Sequence, residues 1–249
     1  MSRPGKSSRP PCIRVSAALF ALALAYALSL AARNGLADLY AEPAKNFLQE
    51  KRDADLALTD TEWQAIHANL RRALGLEPHN PVTLTELGRL HRIQLESDTL
   101  DRTAIERHGK LAIDYYEQAA RLRPAWPWVW SNLALVRYEL YQEASDAYHR
   151  ALIRAARFGP WEDHVQSLVV ELGVDTWASL SPGAQLAALV TIDRALERQP
   201  AALDAIVDSG AGWQELCRAA APVAMVSPPD GKADELRRLQ WHCAERGLN

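Results

Sequence analysis

The sequence predicts an all-α protein: an N-terminal membrane-spanning helix followed by antiparallel helix pairs that form a short superhelix. Three observations predict it. Ala and Leu dominate while Gly is scarce and β-branched runs are few, which favours helix over sheet. One charge-free apolar run stands near the N-terminus. Beyond it, small and large residues recur at helical spacing between proline terminators.

With 249 residues, 48% hydrophobic and 24% charged, the chain has enough apolar material for one sizeable domain or two small ones. Residues 1–32 hold Arg3, Lys6, Arg9 and Arg14 and no acid, a local +4, which leaves 24 basic and 31 acidic residues in the remainder, a net −7. A mildly acidic body carries no electrostatic footprint for nucleic acid.

The first element is VSAALFALALAYALSLAA, Val15 to Ala32, 18 residues without a charge. That is the short end of what spans a bilayer as a helix, and Ile13 and Arg14 lengthen it. The basic residues before it place residues 1–14 in the cytoplasm as a tail and export residues 33–249. Ser29-Leu30-Ala31 leaves a second reading open, a cleaved signal peptide, and a mitochondrial presequence is a third. Cys12 precedes the span. Cys217 and Cys243 follow it, where an oxidising compartment permits a disulfide; a bridge and two separately buried thiols both fit the sequence.

After the span, Leu36 to Leu58 reads as a helix broken or kinked near Pro43. Thr59 and Glu62 then have capping-box spacing, and Trp63, Ile66, Leu70, Ala73 and Leu74 follow at helical intervals until Gly75 and Pro78. Asn80-Pro81 supplies a cap and an N-terminal proline for the next helix. Leu84, Leu87, Gly88 and His91, then Ala112, Tyr116, Ala119 and Pro124, have the spacing of a tetratricopeptide (TPR) helix pair. Counted over residues 81–126 this unit exceeds the usual ~34 residues by about 12, and the excess is expected as a polar loop at Glu96 to Gly109.

A second pair starts at Pro127. Trp130, Leu133 and Ala134 repeat the first set, so Trp130 is expected in the core, and Ala144, Tyr148 and Ala151 repeat the second. The half unit before them brings the total to about two and a half. The repeat decays past Phe158, so the expected body is a repeat domain, 33–160, and a helical C-terminal subdomain, 161–249. Helices are expected there at Trp161 to Leu172, Pro182 to Arg198, Gly212 to Ala220 and Ala233 to Arg246, with a turn-rich linker at Ser227 to Gly231. The ending Ala195 to Pro200 suggests a degenerate fourth unit.

In such pairs the first helices line a concave groove. The groove positions here are Val82, Thr85, Arg89 and Arg92, then Trp128, Ser131, Leu135 and Tyr138. Of these Arg89, Arg92, Thr85, Trp128 and Tyr138 form the candidate partner-binding surface, two arginines beside aromatic rings suited to a carboxylate-bearing ligand. Trp126 joins Trp128 as a candidate surface ring.

No catalytic residues are expected. The chain lacks a phosphate loop, a nucleophile elbow and His-Glu-x-x-His, and its seven histidines form no close ligand pair, so no metal and no cofactor are expected. Glu162-Asp163 are adjacent on a helix and do not face one another as paired acids would; they favour a helix N-terminus instead.

Arg123-Pro124-Ala125-Trp126-Pro127, Gly159-Pro160-Trp161-Glu162 and Leu76-Glu77-Pro78-His79-Asn80-Pro81 before Leu87-Gly88 carry a more specific resemblance. Over most of residues 35–200 the chain resembles the VpsP-like family of bacterial polysaccharide-biosynthesis proteins, which are membrane-anchored and TPR-like. The resemblance implies an accessory role beside a polysaccharide synthase, polymerase or export protein, at the bacterial inner membrane with a periplasmic body. It brings no catalytic residues. An assembly factor for cytochrome maturation or secretion is the alternative.

Overall fold

The computed structural model describes residues 11–54, 56–97, 100–198, 200–209, 212–225 and 236–248. Among them the chain is helical, with eleven α-helices, two 3-10 turns and no strand. It divides into two compact units, residues 1–83 and 84–249, so the boundary expected near residue 160 falls inside the second. Arg3, Lys6, Arg9 and the Ser227–Gly231 linker lie outside the described residues.

The first unit is a hairpin of α1 (Pro11–Asp53) and α2 (Asp60–Leu76). The described side chains from Val15 to Leu36 are exposed, and this part is long and apolar enough to cross a membrane. The helix does not break after the span. It runs on through Pro43 as one helix, correcting the expected break and the separate start at Leu36. The reason is packing. Ala37, Ala41, Ala44 and Leu48 form a buried seam at alternating intervals of four and three, facing Ile66, Leu70 and Ala73 of α2. Pro43 is exposed, as is Leu39, whose carbonyl loses its partner, so the disrupted hydrogen bond lies on the solvent side.

The helices are antiparallel: Lys51 pairs with Glu62 at 2.9 Å near one end, and Arg33 donates to the Leu76 carbonyl at 2.8 Å near the other. The capping box forms as expected. Glu62 N–H donates to Thr59 Oγ1, and Thr59 N–H to the Glu62 carboxylate. Asn80 Oδ1 then accepts from the N–H groups of Val82 and Thr83, opening α3 (Pro81–Ile93).

The second unit continues α3 and adds α4 (Arg102–Leu122), α5 (Pro127–Glu139), α6 (Asp146–Phe158), α7 (Asp163–Asp175) and α8 (Pro182–Arg198). Leu84, Leu87, His91, Ala112, Tyr116, Ala119, Leu133, Ala134, Tyr148 and Ala151 are all buried, as their spacing predicts. Gly88 explains the close approach of α3 to α4, since a Cβ there would lie 2.8 Å from the Tyr116 ring. Gly173 does the same between α7 and α8, where a Cβ would meet that of Ala188 at 2.8 Å. α7 and α8 are thus a packed helix pair in the stretch where a degenerate fourth unit was expected. α7 lies against α5, and α8 against α6.

Two expectations are corrected here. The extra residues of the first pair do not form a long loop. They lengthen α4, which starts at Arg102 under an Asp101 cap and buries Gly109 against Leu140 of the α5 end. His108 on the added turns approaches His91 of α3, Nδ1 to Nδ1, at 2.9 Å. Nor is Trp130 core. Helix α5 begins at Pro127, and its rotation gives the fully buried place to Val129. Trp130 is half-buried, its Nε1 donating to the Pro124 carbonyl at 2.7 Å.

Three helices finish the unit: α9 (Pro200–Ser209), which the sequence reading missed, α10 (Gly212–Met225) and α11 (Arg237–Glu245). α9 lies on α7 and α8, and α11 lies on α8. Cys217 of α10 and Cys243 of α11 are joined by a disulfide, Cα to Cα 5.7 Å. Asp193 of α8, 1% exposed, accepts from the buried Leu239 N–H at 2.7 Å and pairs with Arg238 at 3.5 Å, docking the start of α11.

Candidate functional site

The five side chains expected to share a groove are each engaged separately. Thr85 is buried in α3. Arg89 pairs at 3.0 Å with Glu86, one turn earlier. Arg92 reaches Glu96 at 2.8 Å and Glu139 of α5 at 2.7 Å. Trp128 stacks on His164 of α7, ring centroids 5.2 Å apart. The Tyr138 hydroxyl donates to the Asp175 carboxylate at 2.5 Å. α5 thus ties both neighbouring first helices at its C-terminal end, Arg92 of α3 at Glu139 and Asp175 of α7 at Tyr138, while Trp128 meets α7 at its other end.

Burial sets the electrostatics. It pushes the Glu139 carboxyl up to about 7, and the adjacent Arg92 offsets only part of that cost. The Arg92 guanidinium is itself opposed by burial, yet Glu139 and Glu96 hold its pKa above the usual value. Beneath them the Tyr116 hydroxyl is fully buried, with no hydrogen-bond partner among the described residues, and burial raises its pKa strongly. The hydrogen bond to Asp175 is the first cause that pushes Tyr138 up to about 12, with burial second.

Tyr138, Glu139, Glu143 and Asp175 line an open cleft of about 400 Å³, completed by Tyr141, Thr176 and Ser179. Of these the sequence reading named only Tyr138. The missed signal is the acidic spacing Glu139, Glu143 beside a turn. Tyr141 is the one described non-glycine residue with positive φ, 56°, and it is 89% exposed. It occupies the left-handed position that ends α5, where Gln142 N–H reaches the Arg137 carbonyl at 2.8 Å. Glycine would fit there without strain. The cleft is anionic at its rim, so it suits a cationic group over a carboxylate. Among the described residues, no group of three or more His, Cys, Asp or Glu side chains is placed to hold a metal.

The two most specific sequence elements meet in space. Arg123–Pro127 turns α4 into α5 and Gly159–Glu162 turns α6 into α7. A Cβ on Gly159 would lie 2.8 Å from Pro127 and 2.8 Å from Val165. Arg123 stacks on the Trp126 ring at 4.5 Å, and the Gln166 amide donates to the Pro160 carbonyl. The elements are stacked corners of successive pairs, with Gly159 packed against Pro127 between them; Trp126 is half-buried and Trp161 is exposed. Compared with family models and with curated proteins, the chain matches none.

Proposed function

We propose that this chain is a non-catalytic, membrane-tethered scaffold that holds a protein of extracellular-polysaccharide synthesis or export at the bacterial inner membrane. Its N-terminus is cytoplasmic and its body periplasmic in this reading. The observation that carries it is the continuity of α1, in which one helix supplies both an exposed apolar length and the seam on which α2 packs. The stacked Arg-Pro-x-Trp-Pro and Gly-Pro-Trp-Glu corners support the polysaccharide setting through the family resemblance. The Cys217–Cys243 bridge supports an oxidising compartment for the body. Such a scaffold acts by raising the local concentration of its partner, with no bond made or broken.

The test is a deletion strain complemented with the full chain, scored for surface polysaccharide. Lost polysaccharide restored by the full chain is the expected result. Unchanged polysaccharide beside a defect in cytochrome maturation or secretion would move the scaffold to that machine.

A further inference from the structure

Between α4 and α6, floored by α5, runs a second cleft of about 380 Å³ whose charge is opposite to the first. Arg121 of α4, Arg137 of α5 and Arg150 and Arg154 of α6 line it, with Glu117 as the one acid. That is a local excess of cations in a body of net −7. Two of the four are internally used. Arg137 is held by Glu117 at 2.8 Å, and Arg154 lies over the Trp130 ring at 4.4 Å. Arg121 and Arg150, one from each flanking helix, are exposed and make no ion pair among the described residues.

The geometry of the trough defines a ligand. The lining runs from Glu117 to Pro124, over the end of α4 and just past it, and from Ala147 to Arg154 along α6, the latter seven residue steps or roughly 10 Å at helical rise. Ala120, Leu133, Ala147 and Ala151 keep its floor shallow and apolar. The polar lining donates far more than it accepts, since four arginines face a single carboxylate that already holds Arg137. Sugar hydroxyls need acceptors as well as donors, and a stacking sugar needs an aromatic face that Arg154 does not cover. Carboxylates only accept, and guanidinium forks match them. Arg150 and Arg154 are four residues apart, the same separation at which two carboxylates share one face of a helix.

We infer that this trough docks about two turns of an amphipathic helix from a partner protein, its Asp or Glu residues at i and i+4 against Arg150, Arg154 and Arg121 and its small apolar residues on the alanine floor. This rests on the scaffold reading above and names the recognised chemistry. It also moves recognition away from Arg89 and Arg92, which are committed to Glu86, Glu96 and Glu139.

The experiment uses the full chain in detergent micelles and a fluorescein-labelled helical peptide, two copies of Ala-Glu-Leu-Ala-Ala-Glu-Leu, read by anisotropy. A peptide with Lys for each Glu and an oligogalacturonate serve as competitors. The acidic peptide is expected to bind at least tenfold more tightly than either, to weaken with added salt, and to lose at least tenfold in Arg150→Glu/Arg154→Glu. The exposed Arg102→Glu should bind as the parent does. Should the double variant fail to fold, Arg121→Glu alone carries the same expectation. Acidic-peptide binding unchanged in the reversal variants, or oligogalacturonate binding that alone depends on these arginines, would overturn the inference. If it fails while the deletion strain still loses its polysaccharide, the scaffold stands without this trough. If the peptide binds through the trough and polysaccharide is unaffected, the trough stands and the setting changes.

Discussion

Within residues 84–249, α3 to α8 and α9 to α11 are held by different means. The pairs α3–α4, α5–α6 and α7–α8 use one device several times, a small residue in one helix against a side chain of the next, as at Gly88 on Tyr116 and Gly173 on Ala188. The last three helices use devices that occur once each. A disulfide joins α10 to α11. One buried carboxylate, Asp193, receives α11. Asp204 accepts from Trp213 at 3.1 Å and from Arg246 at 2.7 Å. Repetition spreads stability over many weak contacts, whereas a clasp concentrates it in a few that fail together.

The sharpest way to break this comparison is to open the clasp. For a bridge between residues 26 apart, the chain-entropy account gives a loss of about 3–4 kcal/mol in Cys217→Ser/Cys243→Ser. Urea unfolding of the full chain in micelles measures it. Hydrogen exchange should show α10 and α11 losing protection while α3 to α8 keep theirs. If every amide loses protection together, the cap and the pairs are one cooperative unit and the distinction is void.

A smaller contrast tests the repeated device. Gly159→Ala should cost about 1–3 kcal/mol, because its Cβ meets Pro127 and Val165 at 2.8 Å. Gly183→Ala finds only Ile153 at 3.6 Å and should gain roughly 0.5 kcal/mol from helix propensity. Thermal midpoints of the two variants separate a packing glycine from an incidental one.

The smallest effect concerns Glu139, whose carboxyl is raised in the folded state. Stability from its protonated form is fully present below about pH 4.5 and is lost as pH rises through about 7. Glu139→Gln should therefore leave the midpoint near pH 4.5 unchanged and raise it at pH 8. A variant less stable than the parent at pH 8 would show that the Arg92 pair outweighs the cost of burial.

What the sequence revealed follows the same division. The pair core was legible because Leu84, Leu87, Gly88, Tyr116 and their counterparts obey a period, and α8 was legible to the residue because Ser181-Pro182 and Arg198 bracket it. Trp130 was misplaced although the helix start at Pro127 was legible: matching it to Leu84 by analogy put it in the core, whereas the buried place goes to Val129, one position earlier. Pro200 was read as a terminator, yet it also begins α9, since proline suits a first helical turn. Asp193 carried no local signal. It lies within a helical apolar stretch, and its partner Leu239 is 46 residues away. The cysteines could be paired only as an open choice, because nothing in their spacing fixes how α10 and α11 lie.

The unbroken α1 has a mechanical meaning. At helical rise its 43 residues extend over roughly 65 Å, and no non-helical residue separates the apolar length from the length that packs on α2. With the apolar half in a bilayer, the hairpin is a mast stepped in the membrane and not a float on a leash. Whatever tilt the lipid thickness imposes on the span reaches the hairpin through unbroken helix. Thickening or thinning the bilayer would then re-aim the first unit without altering a single contact inside it.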